Sequence, residues 1–402
     1  MKKEERRRIS FDVDLGANEA IRERSVRFDT RREKGILAAL GAILLPLMAG
    51  TLIFRTDLTV TGITPALIWS ESTARAENLW CWLTGGPNVN AASFSVYTIL
   101  IVALVGAALA VSGAVCQGLF HTPMASPSML GIQSGGMLAA VIFLFFFVDP
   151  SPVEAFCTSS EYCAYLDTLS FSQLFGRQLF VLAGCILGGS LVLLISGGAG
   201  RGRVSGVILI LTGSLFSSLA GSVVSLGQYY FTYVDPTPDR AYGLMSISMG
   251  TFANTYSLTH LLLVAVPLVL SMAALFAMAP AINALMFGDR EAMAMGVNVG
   301  RVRNIAFLLC IIPCAVILAF CGRISFVGLI IPHIARQMLG SDCRWLLPGS
   351  ALLGAVSLVL VYQAALCTGL TAGINLITSV VGGVLFLGFI LKYRRCRNGD
   401  WA

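Results

Sequence analysis

The chain has 402 residues, of which 56% are hydrophobic and only 12% charged, where a soluble domain carries about 25% charged residues. Apolar runs of about 20 residues recur along almost its whole length, which excludes an ordinary soluble fold and marks a polytopic α-helical membrane protein. The net charge of +6 sits in the loops, where membrane topology accounts for it and no nucleic-acid partner is needed.

Residues 1–35 form a polar cytoplasmic tail with 11 Lys/Arg and 8 Asp/Glu. A cleaved signal peptide does not read this way, because its basic region is short and an apolar stretch follows directly. The span-rich body then runs from 36 to 391, and 392–402 is a short cytoplasmic C-terminal tail. Ten spans are expected at 36–54, 94–118, 129–148, 174–196, 205–227, 258–282, 304–321, 324–340, 347–368 and 374–391. With the N-terminus inside, 22 Lys/Arg fall on the inner side and 5 on the outer side. That ratio supports ten spans with both termini cytoplasmic.

Most of the 11 cysteines lie inside apolar runs, where a free thiol behaves as a small hydrophobe. Cys157 and Cys163 lie instead in an acidic outer loop, where a disulfide can form. They either bridge each other, stay free, or pair elsewhere, for instance with Cys81. No C-x-x-C pair exists and histidines number three, so no metal site is expected. No Asp or Glu lies deep in any apolar run. An ion-coupled carrier usually needs such a group, so the energy source is expected outside the chain.

Three segments carry the informative chemistry. In GAALAVSGAVCQGLFHTPMASPSMLGIQSGG, residues 106–136, Pro123 and Pro127 preclude a continuous helix. The segment reads either as a tight cytoplasmic turn or as an inner mouth with Gln117 lining a path. In FGDREAMAMGVNVGRVRN, residues 287–304, Asp289 is placed to cap a short helix and Gly296 to stop it. This is either an ordinary inner loop or a rigid knob that docks into a partner. In CGRISFVGLIIPHIARQMLG, residues 321–340, Gly328 permits close packing and Pro332 predicts a break or kink. His333 beside that proline is more often a structural hydrogen-bonder than a ligand or relay, and Arg336 marks the inner end of the span.

Together these segments resemble the FecCD-type permeases of ABC importers, which carry iron–siderophores, haem and vitamin B12. The resemblance rests on GAxLAxSGxxxQxxFxxPxAxPxxLGxxxGG at 106–136, GDxxAxxxGVxVxxxR at 288–303 and GxISFVGLxxPHxARxxxGxDxRxLLPxSxLxGA at 322–355. A looser match is LMSISMGTF at 244–252. It implies an all-α, ten-span type II importer permease built from inverted repeats, in the cytoplasmic (inner) membrane. It further implies a second permease subunit, two ATPase subunits that bind ATP and Mg, and an extracytoplasmic substrate-binding protein. No cofactor is expected on this chain. By resemblance, Gly288, Asp289, Arg290, Ala292, Met295, Gly296 and Arg301 form the ATPase-coupling loop. Gln117, Ser134, Met249, Gly250 and Phe252 belong to the path or gate. Pro123, Pro127, Gly328, Pro332, His333 and Arg336 form an inner-face structural motif.

The chain departs from the family pattern in three places. NVNAASFSVYT precedes the second span without a basic residue, the ninth span reads VYQAALCTG, and the last reads GINLITSVVGG without the usual prolines. Basic groups that would meet a binding protein are therefore missing; either Arg55, Arg75 or Arg323 substitutes, or a second, different permease subunit carries the contact. No G-x-x-x-x-G-K-[ST] phosphate loop is present, so the chain is not itself the ATPase. A secondary transporter, a membrane-embedded enzyme and a relative with altered docking are the other readings. The first needs a deep carboxylate, and the second needs a polar cluster at membrane depth.

Overall fold

The structure is a computed structural model that describes residues 33–48, 89–122, 125–128, 131–147, 171–198, 206–234, 238–252, 258–368 and 373–396. Pro123, Cys157 and Cys163 lie outside the described residues, as do Arg55, Arg75 and Cys81. The helices are α1 (33–48), α2 (Val89–Phe120), α3 (Ile132–Phe146), α4 (Phe171–Gly198) and α5 (Gly206–Tyr229). The last of these runs into a π-helical turn, Tyr230–Val234. Then come α6 (Pro238–Met249), α7 (Leu258–Ala277), α8 (Ala279–Met286), α9 (Asp289–Ala294) and α10 (Val299–Cys321). The chain closes with α11 (Val327–Leu339), α12 (Cys343–Thr368) and α13 (Ile374–Cys396). No strand occurs among the described residues.

Each of the ten apolar segments read from the sequence contains a helix. Among the described residues six helices, α2, α4, α5 with its π turn, α7, α10 and α12, are long and apolar enough to cross a membrane. Shorter apolar stretches occur in α3, α11 and α13. Two expectations need correction. The sixth segment is divided at Met278, because Pro280 two residues on lacks the N–H that a continuing helix would use. At Pro332 the helix does not break: α11 runs through it, and the chain turns earlier, at Gly322 (φ 76°) and Phe326 (φ 66°).

The bundle is organised around α2, whose membrane-crossing stretch is 89% buried. A helix apolar on every side is a core helix, and α2 is one. In lipid there is little hydrophobic drive to bring helices together, so association rests on close packing of small residues. Gly106 of α2 and Gly354 of α12 meet reciprocally: a Cβ on either would run into the carbonyl of the other. Gly113 of α2 likewise receives the Gly328 carbonyl of α11. A second such seam joins Gly135 of α3 to Gly184 and Gly188 of α4.

Overpacking a tight contact costs about 1–3 kcal/mol, and more where backbone is the obstacle. Gly106→Val is therefore expected to lower the melting temperature of the detergent-purified protein by several degrees or to abolish its folded form. Gly383→Ala, where nothing lies within 4 Å of the new Cβ, is expected to match or slightly exceed the parent. Equal melting temperatures for both variants, read by differential scanning fluorimetry, would contradict the glycine seam.

Candidate functional site

The segment that joins α8 to α10 is a rigid bracket. Gly288 reverses the chain at φ 120°, a backbone conformation that suits glycine and few other residues. A Cβ there would strike the Glu291 carboxylate. The six-residue α9 begins at once, with Ala292 N–H donating to the Gly288 carbonyl at 3.0 Å. It ends in a Schellman motif: the Val297 N–H reaches the Ala292 carbonyl at 3.0 Å and the Gly296 N–H reaches that of Met293 at 3.0 Å. Gly296 sits at φ 80°, the stop that its position in the sequence predicts. Asn298 then caps α10, its Oδ1 accepting from the Arg301 N–H at 3.2 Å.

Asp289 does not cap α9 as expected. Gly288 holds the cap position, and Asp289, the first helical residue, turns its carboxylate sideways. There Oδ1 accepts from Arg303 Nη2 at 2.7 Å, an ion pair that ties α9 to α10. Ala292 is fully buried and seats α9 on the bundle. What the bracket presents outward is apolar: Phe287 is 74% exposed, Met293 54% and Met295 56%. Arg290 and Arg301 are exposed beside them. Arg303, Phe287, Met293 and Asn298 escaped the sequence reading. Only Asn298 left a local signal, as a capping residue just before an apolar run.

The same side of the bundle is clasped to its neighbours. Asn283 of α8 donates Nδ2 to Asp342 Oδ1 at 2.7 Å and accepts the Cys343 N–H at 2.8 Å. His121, at φ 51°, donates from Nε2 to the Leu285 carbonyl at 2.9 Å and so joins the end of α2 to α8. Pro332 has no N–H for the Gly328 carbonyl, and that carbonyl lies against Gly113. The next carbonyl, Leu329 O, is taken by Gln117 Nε2 at 2.9 Å. Gln117 is 1% exposed. It therefore staples α2 to α11 inside the subunit and does not line an open path in this conformation. Pro127 is buried in the turn after α2. His333 meets Gln337 at 3.3 Å, and Arg336 lies half-buried at the end of α11.

The other gate residues lie elsewhere. Ser134 Oγ meets Ser217 Oγ of α5 at 3.2 Å. Met249 and Gly250 end α6 at the opposite side of the bundle from α9, where two glycines let two chains cross. Gly250 sits at φ 70° and Gly322 at φ 76°. Thr251 N–H donates to the Cys321 carbonyl at 2.9 Å, and Arg323 N–H to that of Ile247 at 2.8 Å. Asn375 of α13 joins them by donating to Ser248 O at 3.3 Å. Phe252 is buried at 2% exposure, edge-on to Tyr362 of α12 with ring centroids 5.8 Å apart. Gly250 and Phe252 are thus packed inside the subunit, and the five residues assigned to the path do not form one surface. Among the described residues no cluster of His, Cys, Asp or Glu suits a metal ion.

A sequence profile described as the FecCD transport family matches residues 43–392. The chain is 34% identical to the hemin transport system permease protein of Yersinia pestis, over 75% of this chain and 83% of that one. It is 32% identical to the cobalamin import system permease protein of Halobacterium salinarum, over 74% of this chain and 72% of that one. A solved structure described as an inward-facing conformation of a metal-chelate type ABC transporter is similar at a TM-score of 0.68 and 26% identity, covering 90% of this chain and 99% of that one.

An L-residue forced into the left-handed region loses about 1–2 kcal/mol, and Asn loses less than a β-branched residue. Gly296→Val is therefore expected to speed amide hydrogen exchange across 289–297 by about five- to thirty-fold, while Gly296→Asn stays near the parent. Equal protection in Gly296→Val, read by exchange mass spectrometry, would show that Gly296 does not hold the bracket.

Proposed function

The chain belongs to the FecCD transport family, and on that premise we propose that it is the membrane subunit of an ABC importer. Its cargo in this reading is an iron chelate, haem or cobalamin, the classes named for relatives. ATP is bound and hydrolysed, with Mg, on separate ATPase subunits. The complex comprises two permease subunits, two ATPases and an extracytoplasmic binding protein. Both termini lie in the cytoplasm, the side on which the basic residues concentrate.

The observation that carries this reading is the bracket at 287–304. It is short, held by the Schellman motif, by the Asn298 cap and by the Asp289–Arg303 pair, and it turns three apolar side chains to water. Exposed Phe and Met on a rigid frame suit insertion into a partner's cleft, where thioethers adapt to the wall. Movement of that cleft is then passed as rigid-body motion to α8 and α10 and through them to the bundle. Residues 36–391 form the transporting body and the two tails lie outside it. Of the three substitutes Arg55, Arg75 and Arg323, the last lies among the described residues, and it is exposed. A secondary carrier gains no support, because none of the six long apolar helices contains Asp or Glu.

The pair Asp289–Arg303 gives a reversible test. In proteoliposomes that contain the chain with its ATPase and binding protein, Asp289→Arg and Arg303→Asp are each expected to cut cargo uptake per ATP hydrolysed about fivefold or more. The double exchange is expected to recover most of it, because it restores the ion pair with reversed sense. Single variants that keep wild-type uptake per ATP would remove 287–304 from the coupling path.

A further inference from the structure

α12 begins on a side chain that belongs to another helix. Asp342 supplies the ordinary cap. Its Oδ1 accepts the Arg344 N–H at 2.9 Å, and its carbonyl accepts from the N–H groups of Trp345 and Leu346 at 3.0 and 2.8 Å. The Cys343 N–H, the first of the helix, goes elsewhere. It donates to Asn283 Oδ1 of α8 at 2.8 Å, and Asn283 Nδ2 donates in turn to Asp342 Oδ1 at 2.7 Å. Both ends of one amide thus serve the start of α12. Cys343 Sγ adds a contact with Met286 Sδ at 3.7 Å.

Helix stability alone does not call for this link. Asp342 and Arg344 are exposed, so water reaches the end of α12 and can satisfy its first N–H. What the amide adds is a joint between α12 and the helix that carries the bracket. Asn283 stands about one turn before Phe287, where the bracket begins. On its other side α8 is set off from α7 by the interruption at Met278 and Pro280, which makes that point a joint as well.

α12 then runs to the segment where α10 also ends. From Cys343 it continues through Pro348 to Thr368 as one helix. Gly354 seats it on Gly106 of α2. Tyr362, about 28 Å along the axis from Cys343 at 1.5 Å per residue, meets the Phe252 ring edge-on at 5.8 Å. The residue before Phe252, Thr251, donates its N–H to the Cys321 carbonyl at the end of α10 at 2.9 Å. Two helices that start on the bracket side therefore reach adjacent residues, Thr251 and Phe252, on the opposite side of the bundle. One is joined to the bracket by Asp289–Arg303 and the other to α8 by Asn283.

We propose that Asn283 is a positioning residue for coupling: it passes movement of the bracket into α12, so that α10 and α12 act on 251–252 as paired struts. The inference rests on the importer reading and adds a second route beside the one through α10. A single strut can pivot about its contact with Thr251. Two struts on adjacent residues restrain each other, and the segment they hold shifts as one piece.

The groups at the joint can be exchanged. Asn283→Asp sets a second carboxylate against that of Asp342. Asp342→Asn leaves an oxygen that still accepts from Asn283 and from the Arg344 N–H. The double variant Asn283→Asp/Asp342→Asn returns one carboxylate and one amide in exchanged places. The measurement uses the whole transporter in proteoliposomes, with radiolabelled haemin, ferric hydroxamate and cobalamin as probes, and reads uptake per ATP hydrolysed. Asn283→Asp is expected to lower that ratio about fivefold or more, and Asp342→Asn to stay within about twofold of the parent. The double variant is expected to return to within about twofold of the parent. Co-elution with the ATPase on size-exclusion chromatography and a melting temperature within about 3 °C of the parent are expected throughout. A fall in melting temperature or co-elution with the ratio unchanged would assign Asn283 to stability alone and overturn the inference. Asn283→Asp with the parental ratio would overturn it and leave the importer standing. So would a ratio that the double variant does not restore; if Asp342→Asn shares that loss, Asp342 belongs to the ATPase contact. A parent complex that moves none of the probes with ATP would overturn the importer reading itself, and the paired struts with it.

Discussion

Backbone groups that water cannot reach need partners inside the protein, and the core of this bundle is arranged around that need. Pro332 withholds one donor from α11, and its ring crowds the turn before it. The carbonyls affected are Gly328 O, which rests on Gly113, and Leu329 O, which Gln117 binds at 2.9 Å. Both partners belong to α2, at positions four residues apart in sequence. The proline therefore becomes a joint between two helices and not a break in one. Without Gly113 the approach is blocked, and without Gln117 the side-chain hydrogen bond that joins α2 to α11 at Leu329 O is lost, at a cost of about 0.5–1.5 kcal/mol.

From this column the rest of the subunit follows in two directions. Towards one side, α2 ends at His121, which holds α8 and so seats the bracket at 287–304. Towards the other, α10 ends at Gly322, where α6, α10 and α13 are tied by backbone and amide hydrogen bonds. The bracket and that junction are the two ends of the same helix, α10, about 35 Å apart at 1.5 Å per residue. A displacement of α9 therefore has a stiff route to the far side. The Asp289–Arg303 pair, at 2.7 Å, ties α9 to α10.

Much of the architecture was legible in the sequence because its signals are local. Apolar runs marked the helices, Pro123 and Pro127 marked the interruption between α2 and α3, and Gly296 marked the end of α9. Signals that depend on tertiary context were lost. Asp289 read as a cap because aspartate favours that position, yet Gly288 can take φ 120° and holds it instead. Arg303 lies 14 residues from its partner, and no periodicity points to it. Gln117 is assigned to the path by resemblance, its segment reading either as a tight turn or as an inner mouth. Its true partner emerges only by asking where the carbonyls loosened by Pro332 find a donor.

The central claim is that the energy for transport comes from a partner that grips the bracket, and not from an ion gradient acting on the spans. It is tested most directly by reconstituting the chain in proteoliposomes with and without its ATPase, with ATP in the lumen facing the bracket, and following labelled chelate delivered by the binding protein. The account predicts uptake that requires both ATPase and ATP and is indifferent to a collapsed proton and sodium gradient. Uptake by the chain alone, driven by either gradient, would contradict it.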